Sequence, residues 1–215
     1  MTLRVNKAHW PVTVLGYGQR IGIWLQGCSI HCPNCCSQDT WPLDENRRMN
    51  VSDLVEWCRV TAGAEVDGIT ISGGEPFEQS EGLLSLLQTL RVWQHQSKCE
   101  MDILCYSGLP WNYLKNNHSD ILALLDVVIS EPYIHTMEPL ELRGSSNQTI
   151  QLLTSIGINR YSEKELDCFF NNRVQVQVDE EHIWFIGIPN RDDMDKVDTL
   201  CEKGGLVLKN VSWRG

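Results

Sequence analysis

The sequence predicts an α/β fold: a parallel sheet in the larger part of the chain, then a small C-terminal extension made of a β-hairpin and a helix. Three observations predict it. Short apolar runs alternate with amphipathic stretches at about 30 residues per pair, the spacing of βαβ units. No run of about 18 apolar residues interrupts them, so no transmembrane helix is expected. Near the end the pattern changes to period-two alternation, RVQVQV over Arg173–Val178.

The elements follow in order. Arg20–Gln26 (RIGIWLQ) reads as a buried strand running into a cysteine-rich loop. Asn50 is placed to cap a helix whose apolar stripe is Val51, Leu54, Val55 and Cys58, with Asp53 at the capping-box position. Asp67–Ser72 (DGITIS) is the next strand, followed by a glycine turn and a helix marked by Leu83, Leu84, Leu86, Leu87 and Leu90. Met101–Tyr106 is the third strand, Ser119–Leu125 a further helix and Asp126–Ser130 the fourth strand. In the tail, Arg173–Val178, a polar Asp179–Glu181 and an apolar His182–Ile188 make a hairpin. A short helix near Asp192–Glu202 and an apolar end at Leu206–Val211 follow. A boundary near Asn159–Glu163 divides a core of residues 1–160 from an extension or cap of residues 161–215. Ligands of parallel sheets bind at the carboxyl ends of the strands, so the loops after these strands are expected to converge.

Composition narrows the function. The 215 residues carry a formal charge of −10, which argues against nucleic acid or an anionic membrane as partner. The opening MTLRVNKAHWPVTV contains no signal-peptide core. Of nine cysteines, four crowd into Cys28–Cys36, whereas Cys58, Cys99, Cys105, Cys168 and Cys201 are scattered through apolar segments as small buried groups. That layout suits a reducing, cytoplasmic compartment with one metal site rather than a disulfide scaffold. The other histidines, His9, His95, His118, His135 and His182, form no ligand pair. Trp24, Trp57, Trp93 and Trp184 read as core, while Trp10, Trp41, Trp111 and Trp213 are candidate surface anchors.

The chemistry centres on Cys28-Ser-Ile-His-Cys32-Pro-Asn-Cys35. Three thiolates on one short loop can grip three corners of a cubane iron–sulfur cluster and leave one iron open. Gly27 lets the chain turn into the loop and Pro33 stiffens it. A four-cysteine zinc site that adds Cys36 is the alternative, although adjacent Cys35 and Cys36 point apart on most backbones. Cys36 otherwise reads as a bystander and His31 as a solvated or supporting residue. Ser72-Gly73-Gly74-Glu75-Pro76 follows the DGITIS strand directly. Paired glycines permit close backbone approach, and Glu75 supplies an acceptor for an ammonium group; a plain strand-to-helix turn is the other reading.

Together these motifs resemble the radical S-adenosylmethionine superfamily. Many members carry an aromatic residue before the third cysteine, where this chain has Asn34; activases of the anaerobic ribonucleotide reductase type often lack it. The resemblance covers about residues 10–155 and narrows toward glycyl-radical-enzyme activases. It includes Gln26-Gly27-Cys28, Asp39-Thr40-Trp41, Tyr106-Ser107-Gly108 and Arg143-Gly-Ser-Ser-Asn-Gln148. Asp126–Tyr133 resembles a strand that usually ends in Asp-Gly-Pro-Phe, with Ser130 and Glu131 standing at the first two of those positions.

The resemblance implies an incomplete, TIM-like parallel barrel with the cluster at the end of its first strand. It implies a 4Fe–4S cluster on Cys28, Cys32 and Cys35, and S-adenosylmethionine with its methionyl amine at Gly73, Gly74 and Glu75. Ser107, Glu131 and Arg143 are further candidate cofactor or substrate contacts, Arg143 alternatively belonging to an exposed turn. The implied reaction is reductive cleavage of the cofactor and hydrogen abstraction from a glycine of a partner enzyme, with a flavodoxin- or ferredoxin-like electron donor. A stand-alone enzyme acting on a peptide, nucleotide or small molecule is the alternative, because the tail runs past the RGSSNQ segment. A non-enzymatic electron carrier is a third reading, against which the GGE loop argues.

Overall fold

The computed structural model describes residues 1–63, 65–98, 100–162, 173–180, 182–190 and 192–213. Cys99, Cys168 and Glu181, and the end of the boundary near Asn159–Glu163, therefore lie outside the described residues.

Four parallel strands form the centre: β2 (Arg20–Leu25), β4 (Gly68–Gly73), β5 (Asp102–Tyr106) and β6 (Val127–Ser130). Antiparallel strands flank them: β1 (Thr2–Val12) and β3 (Arg48–Asn50) on one side, β7 (Thr149–Leu152) on the other. The order across the sheet is β3-β1-β2-β4-β5-β6-β7. Every residue of β2 is buried, which is why Ile21–Leu25 is a continuous apolar run rather than an alternating one.

Chain order corrects the expectation that Arg20–Gln26 is the first strand: β1 precedes it. Irregularities in the β1–β2 register lie between Val5 and Lys7 and between His9 and Val12. A bulge inserts a residue into the period, so the run LRVNKAHWPV shows no clean alternation. The helix expected over Ser119–Leu125 is also shorter, with α3 (Trp111–Asn117) and α4 (Ser119–Leu122) meeting at His118.

Helices α1 (Val51–Ala62) and α2 (Ser80–Ser97) pack their apolar stripes on one sheet face, burying Leu54, Val55 and Cys58 with Leu83, Leu86, Leu87 and Leu90. Asn50 stands at the N-cap of α1, but its amide donates to Asp53 Oδ2 at 2.9 Å instead of accepting a backbone N–H. A short α5 (Ser155–Tyr161) follows β7.

The tail forms the expected hairpin, β8 (Val174–Val178) against β9 (Ile183–Gly187), then α6 (Asp193–Lys203). It covers part of the opposite sheet face, where Ile186 is buried with Val12, Val14, Leu15 and Trp24. Its period-two pattern explains the docking. Gln175 and Gln177 face the core, bonding Pro11 O at 2.8 Å and His9 Nε2 at 2.9 Å, and Val176 and Val178 face outward. Among the described residues no helix is long and apolar enough to cross a membrane.

At the amino ends of the strands, Arg20 and Asp102 are fully buried and paired bidentately at 2.9 and 2.7 Å. Arg160 and Tyr161 of α5 also bond Asp102, at 2.8 and 3.0 Å. This network closes one end of the sheet and leaves the carboxyl ends for the site.

Candidate iron–sulfur and cofactor site

The loop after β2 begins at Gly27, whose φ of 106° is open to glycine. Backbone bonds from Gly27 N to Thr40 O (2.7 Å) and Cys28 N to Trp41 O (3.1 Å) close it into a ring. Within it His31 and Asn34 take φ of 49° and 60°. Asparagine tolerates that left-handed region far better than a bulky aromatic does, which accounts for Asn34 at its position. His31 is exposed and stacks on Trp41 at 4.8 Å.

Cys28, Cys32 and Cys35, together with Cys36, line one cavity of about 370 Å3, the size of a small-ligand site. The Ser37 N–H donates to the Cys35 sulfur at 3.4 Å. Burial pushes all three thiols up, Cys35 to about 12 with Cys36, Cys32 and Cys28 adding repulsion. Thiolates there need a metal's positive charge, and metal uptake would release the protons. Among the described residues no three Cys, His, Asp or Glu side chains converge on a point suited to one metal ion. Cys36 is exposed.

The GGE loop is laced to this ring. Gly74 N donates to Leu25 O at 2.8 Å and Glu75 N to Gly27 O at 2.9 Å. A Cβ on Gly73 would lie 2.3 Å from Leu25 N, and one on Gly74 2.0 Å from Gly27 O, so neither position admits a side chain. Glu75 is 1% exposed. Its carboxylate accepts from Phe77 N (3.1 Å), Ser107 Oγ (2.9 Å) and Gly108 N (2.8 Å). Burial pushes its pKa up to about 7, against those three donors. A buried carboxylate so poised gains strongly from a cationic partner.

Cys28, Cys32, Cys35, Gly73, Gly74, Glu75 and Ser107 thus line one cavity at the carboxyl ends of β2, β4 and β5. Glu131 and Arg143 are not part of that lining. Glu131, with φ of 86°, accepts from Trp111 N at 2.9 Å, at the start of α3. Arg143 turns back on its own loop, to Glu141 O at 3.3 Å and Gln148 O at 3.5 Å.

Sequence reasoning missed several contributors. Glu78 accepts from both Ser29 N (2.9 Å) and Ser29 Oγ (2.5 Å), fastening the cysteine loop to the turn after GGE. Trp41 and Trp213, both candidate surface anchors, line the cavity, as do Tyr133, His135 and Met194. The C-terminus reaches the loop as well: Ser212 O accepts from Gln38 N at 2.8 Å, and Ser212 Oγ donates to Cys36 O at 3.0 Å.

With this geometry in place, comparison with known proteins is specific. The family described as "4Fe-4S single cluster domain" matches residues 14–151. The anaerobic ribonucleoside-triphosphate reductase-activating protein of Escherichia coli (strain K12) is 25% identical over 153 residues, 67% of this chain and 96% of that protein. A pyruvate formate-lyase-activating enzyme of Staphylococcus epidermidis is 29% identical over 147 residues, 64% of this chain and 56% of that protein. A 7-carboxy-7-deazaguanine synthase of Synechocystis is 38% identical over 74 residues, 34% of this chain and 33% of that protein. From the thiol loop to the close of the matched region, the chain belongs to the 4Fe-4S single cluster domain family within the radical S-adenosylmethionine superfamily, an enzyme family whose cofactors are a 4Fe–4S cluster and S-adenosylmethionine.

Proposed function

We propose that this protein activates a glycyl radical enzyme of the anaerobic ribonucleotide reductase type. The observation that carries the reading is the alignment with the Escherichia coli activating protein over nearly that protein's whole length. Cys28, Cys32 and Cys35 hold the cluster and leave one corner for an outside ligand. When bound, the cluster and S-adenosylmethionine together supply a 5′-deoxyadenosyl radical as the hydrogen abstractor. Glu75 takes the methionyl ammonium, and ionises as it does so. Ser107 and Gly108 fix the carboxylate's orientation, and Gly73 and Gly74 let the loop lie against the cysteine ring. Glu131 and Arg143 act by shaping the surrounding loops.

Residues 1–160 form the catalytic core, read as an incomplete barrel, and residues 161–215 its cap. A flavodoxin- or ferredoxin-like protein of the cytoplasm donates the electron.

The test is anaerobic reconstitution with reductant, S-adenosylmethionine and a purified anaerobic ribonucleoside-triphosphate reductase. A glycyl radical doublet on the reductase, matched by 5′-deoxyadenosine, is the expected result. An enzyme that forms 5′-deoxyadenosine while the reductase stays without a radical sinks the proposal. One observation favours a second reading, a stand-alone enzyme with a small substrate: Ile188, Pro189, Met194 and Trp213, beyond the matched region, wall the cavity. In that case turnover needs a small molecule and no partner protein.

A further inference from the structure

The tail returns to the cysteine loop from well beyond the matched region and meets it at the helical turn Gln38–Thr40. That turn has no cap of its own, because the Ser37 side chain accepts no backbone N–H. Ser212 supplies one. Its carbonyl accepts from Gln38 N at 2.8 Å and Asp39 N at 3.4 Å, two donors that a helical start leaves without partners. Gln38 Nε2 adds a bond to Trp213 O at 3.2 Å. At the other end of the turn, Thr40 O accepts from Gly27 N and closes the ring. The turn is therefore held between the tail and the entry to the cysteine loop.

The same serine holds the peptide unit between Cys36 and Ser37. Ser212 Oγ donates to Cys36 O at 3.0 Å, and the N–H of that unit, Ser37 N, donates to the Cys35 sulfur at 3.4 Å. A trans peptide is planar, with its C=O and N–H pointing in opposite directions, so fixing the oxygen fixes the aim of the N–H. A bond accepted at the oxygen also polarises the unit and strengthens its N–H as a donor. The tail is itself fastened. Trp213 Nε1 donates to Asp198 Oδ2 of α6 at 3.3 Å, and the Trp213 ring meets Phe185 of β9 edge-on at 5.6 Å. Ser37, Gln38 and Trp213 line the same cavity as the three cysteines.

We propose that Ser212 is a positioning residue for the cluster: it caps the turn after the third cysteine and, through the Cys36–Ser37 peptide, keeps an N–H on the Cys35 sulfur. An N–H···S bond stabilises the more negative, reduced cluster, so its loss lowers the reduction potential. The coupling is reciprocal: a docked tail tightens cluster binding by the same factor as a bound cluster tightens tail docking. The inference rests on Cys35 being a cluster ligand and is independent of which substrate the enzyme takes.

Full-length protein, reconstituted without oxygen, tests this by redox titration, by iron release to a chelator and by hydrogen exchange of the tail amides. In the unaltered protein, cluster loading is expected to slow amide exchange across residues 206–213. Ser212→Ala should move the midpoint potential to more negative values at unchanged iron content and speed iron release about fivefold, the worth of one ordinary hydrogen bond. Ser212→Thr keeps the hydroxyl and should restore both. Lys209→Ala, an exposed change in the same tail, should alter neither. Tail exchange that ignores the cluster overturns the proposal without any variant. So does a Ser212→Ala potential equal to that of the unaltered protein, or a Ser212→Thr protein shifted as far as Ser212→Ala. Cys35→Ala protein that keeps full iron and an unaltered cluster spectrum instead overturns the ligand assignment, a separate failure.

Discussion

Ser107 Oγ donates to Glu75 Oε1 at 2.9 Å and so ties the carboxyl end of β5 to that of β4. The same hydroxyl accepts from Leu109 N at 3.0 Å, which holds the donor in place. The pair sets one wall of the cavity, and its chemistry depends on pH.

Glu75 is raised to about 7, well above the unfolded value of about 4.3. Its contribution to fold stability is therefore greatest below the unfolded value and is lost as pH rises toward 7. Cofactor binding runs the other way, since the ammonium pairs with the ionised form. The affinity for S-adenosylmethionine is expected to fall about tenfold per pH unit below about 7. Glu75→Gln should flatten that profile and weaken binding about 10- to 100-fold above it, the worth of a charged hydrogen bond. Equilibrium dialysis across pH gives both numbers. A slope that survives in Glu75→Gln assigns the titration elsewhere.

The thiol assignment predicts iron content. Cys28→Ala, Cys32→Ala and Cys35→Ala should each lose most of the cluster's charge-transfer absorption, because each removes one of the three thiolates assigned to it. Cys36→Ala should retain it. Reconstituted samples are compared by iron analysis and visible absorption, and a Cys36→Ala protein without iron would show a different ligand set.

Gly74→Ala tests the contact between the two loops. The added Cβ meets Gly27 O at 2.0 Å, and backbone cannot yield as a flexible side chain does. Overpacking of this kind costs about 1–3 kcal/mol or more and displaces the cysteine ring. A lowered melting temperature together with poor cluster uptake is expected. Gly204→Ala, at φ −79° with no contact under 3.4 Å, is the matched control and should change stability by under about 0.5 kcal/mol.

The buried Arg20–Asp102 pair belongs to the fold rather than the chemistry. Arg20→Met should destabilise by about 3 kcal/mol, since it removes the bidentate partner of a buried carboxylate and leaves it only Arg160 and Tyr161. Burial alone would raise Asp102, but the Arg20 charge and bonds from Arg20, Arg160 and Tyr161 outweigh it and hold the carboxyl below its usual range. Its contribution is present above the unfolded pKa and is lost as pH falls through the lower folded value. Asp102→Asn should therefore weaken the fold at neutral pH and soften its acid transition. Urea titrations at several pH values measure this, with iron per folded molecule expected to stay constant.

The legible parts share one property: they are local. The buried strand Arg20–Leu25, the DGITIS strand and the VQVQV hairpin announce themselves through period and apolarity over a few residues. β1 was hidden because its irregular register breaks the period, and β7 because TIQL is too short and half-exposed to stand out. Arg143 showed its type but not its direction, since it turns back on its own loop, to the carbonyls of Glu141 and Gln148 and the Glu141 carboxylate.

By itself the sequence determined the donor set, because three thiols within one loop are brought together by covalent spacing alone. Only the tertiary structure decided which groups face them. Ser107 reaches Glu75 across 32 residues, and Ser212 reaches Cys36 across 176. Such contacts follow from the order and register of strands in the sheet, which the long-range packing of whole elements fixes and no local periodicity records.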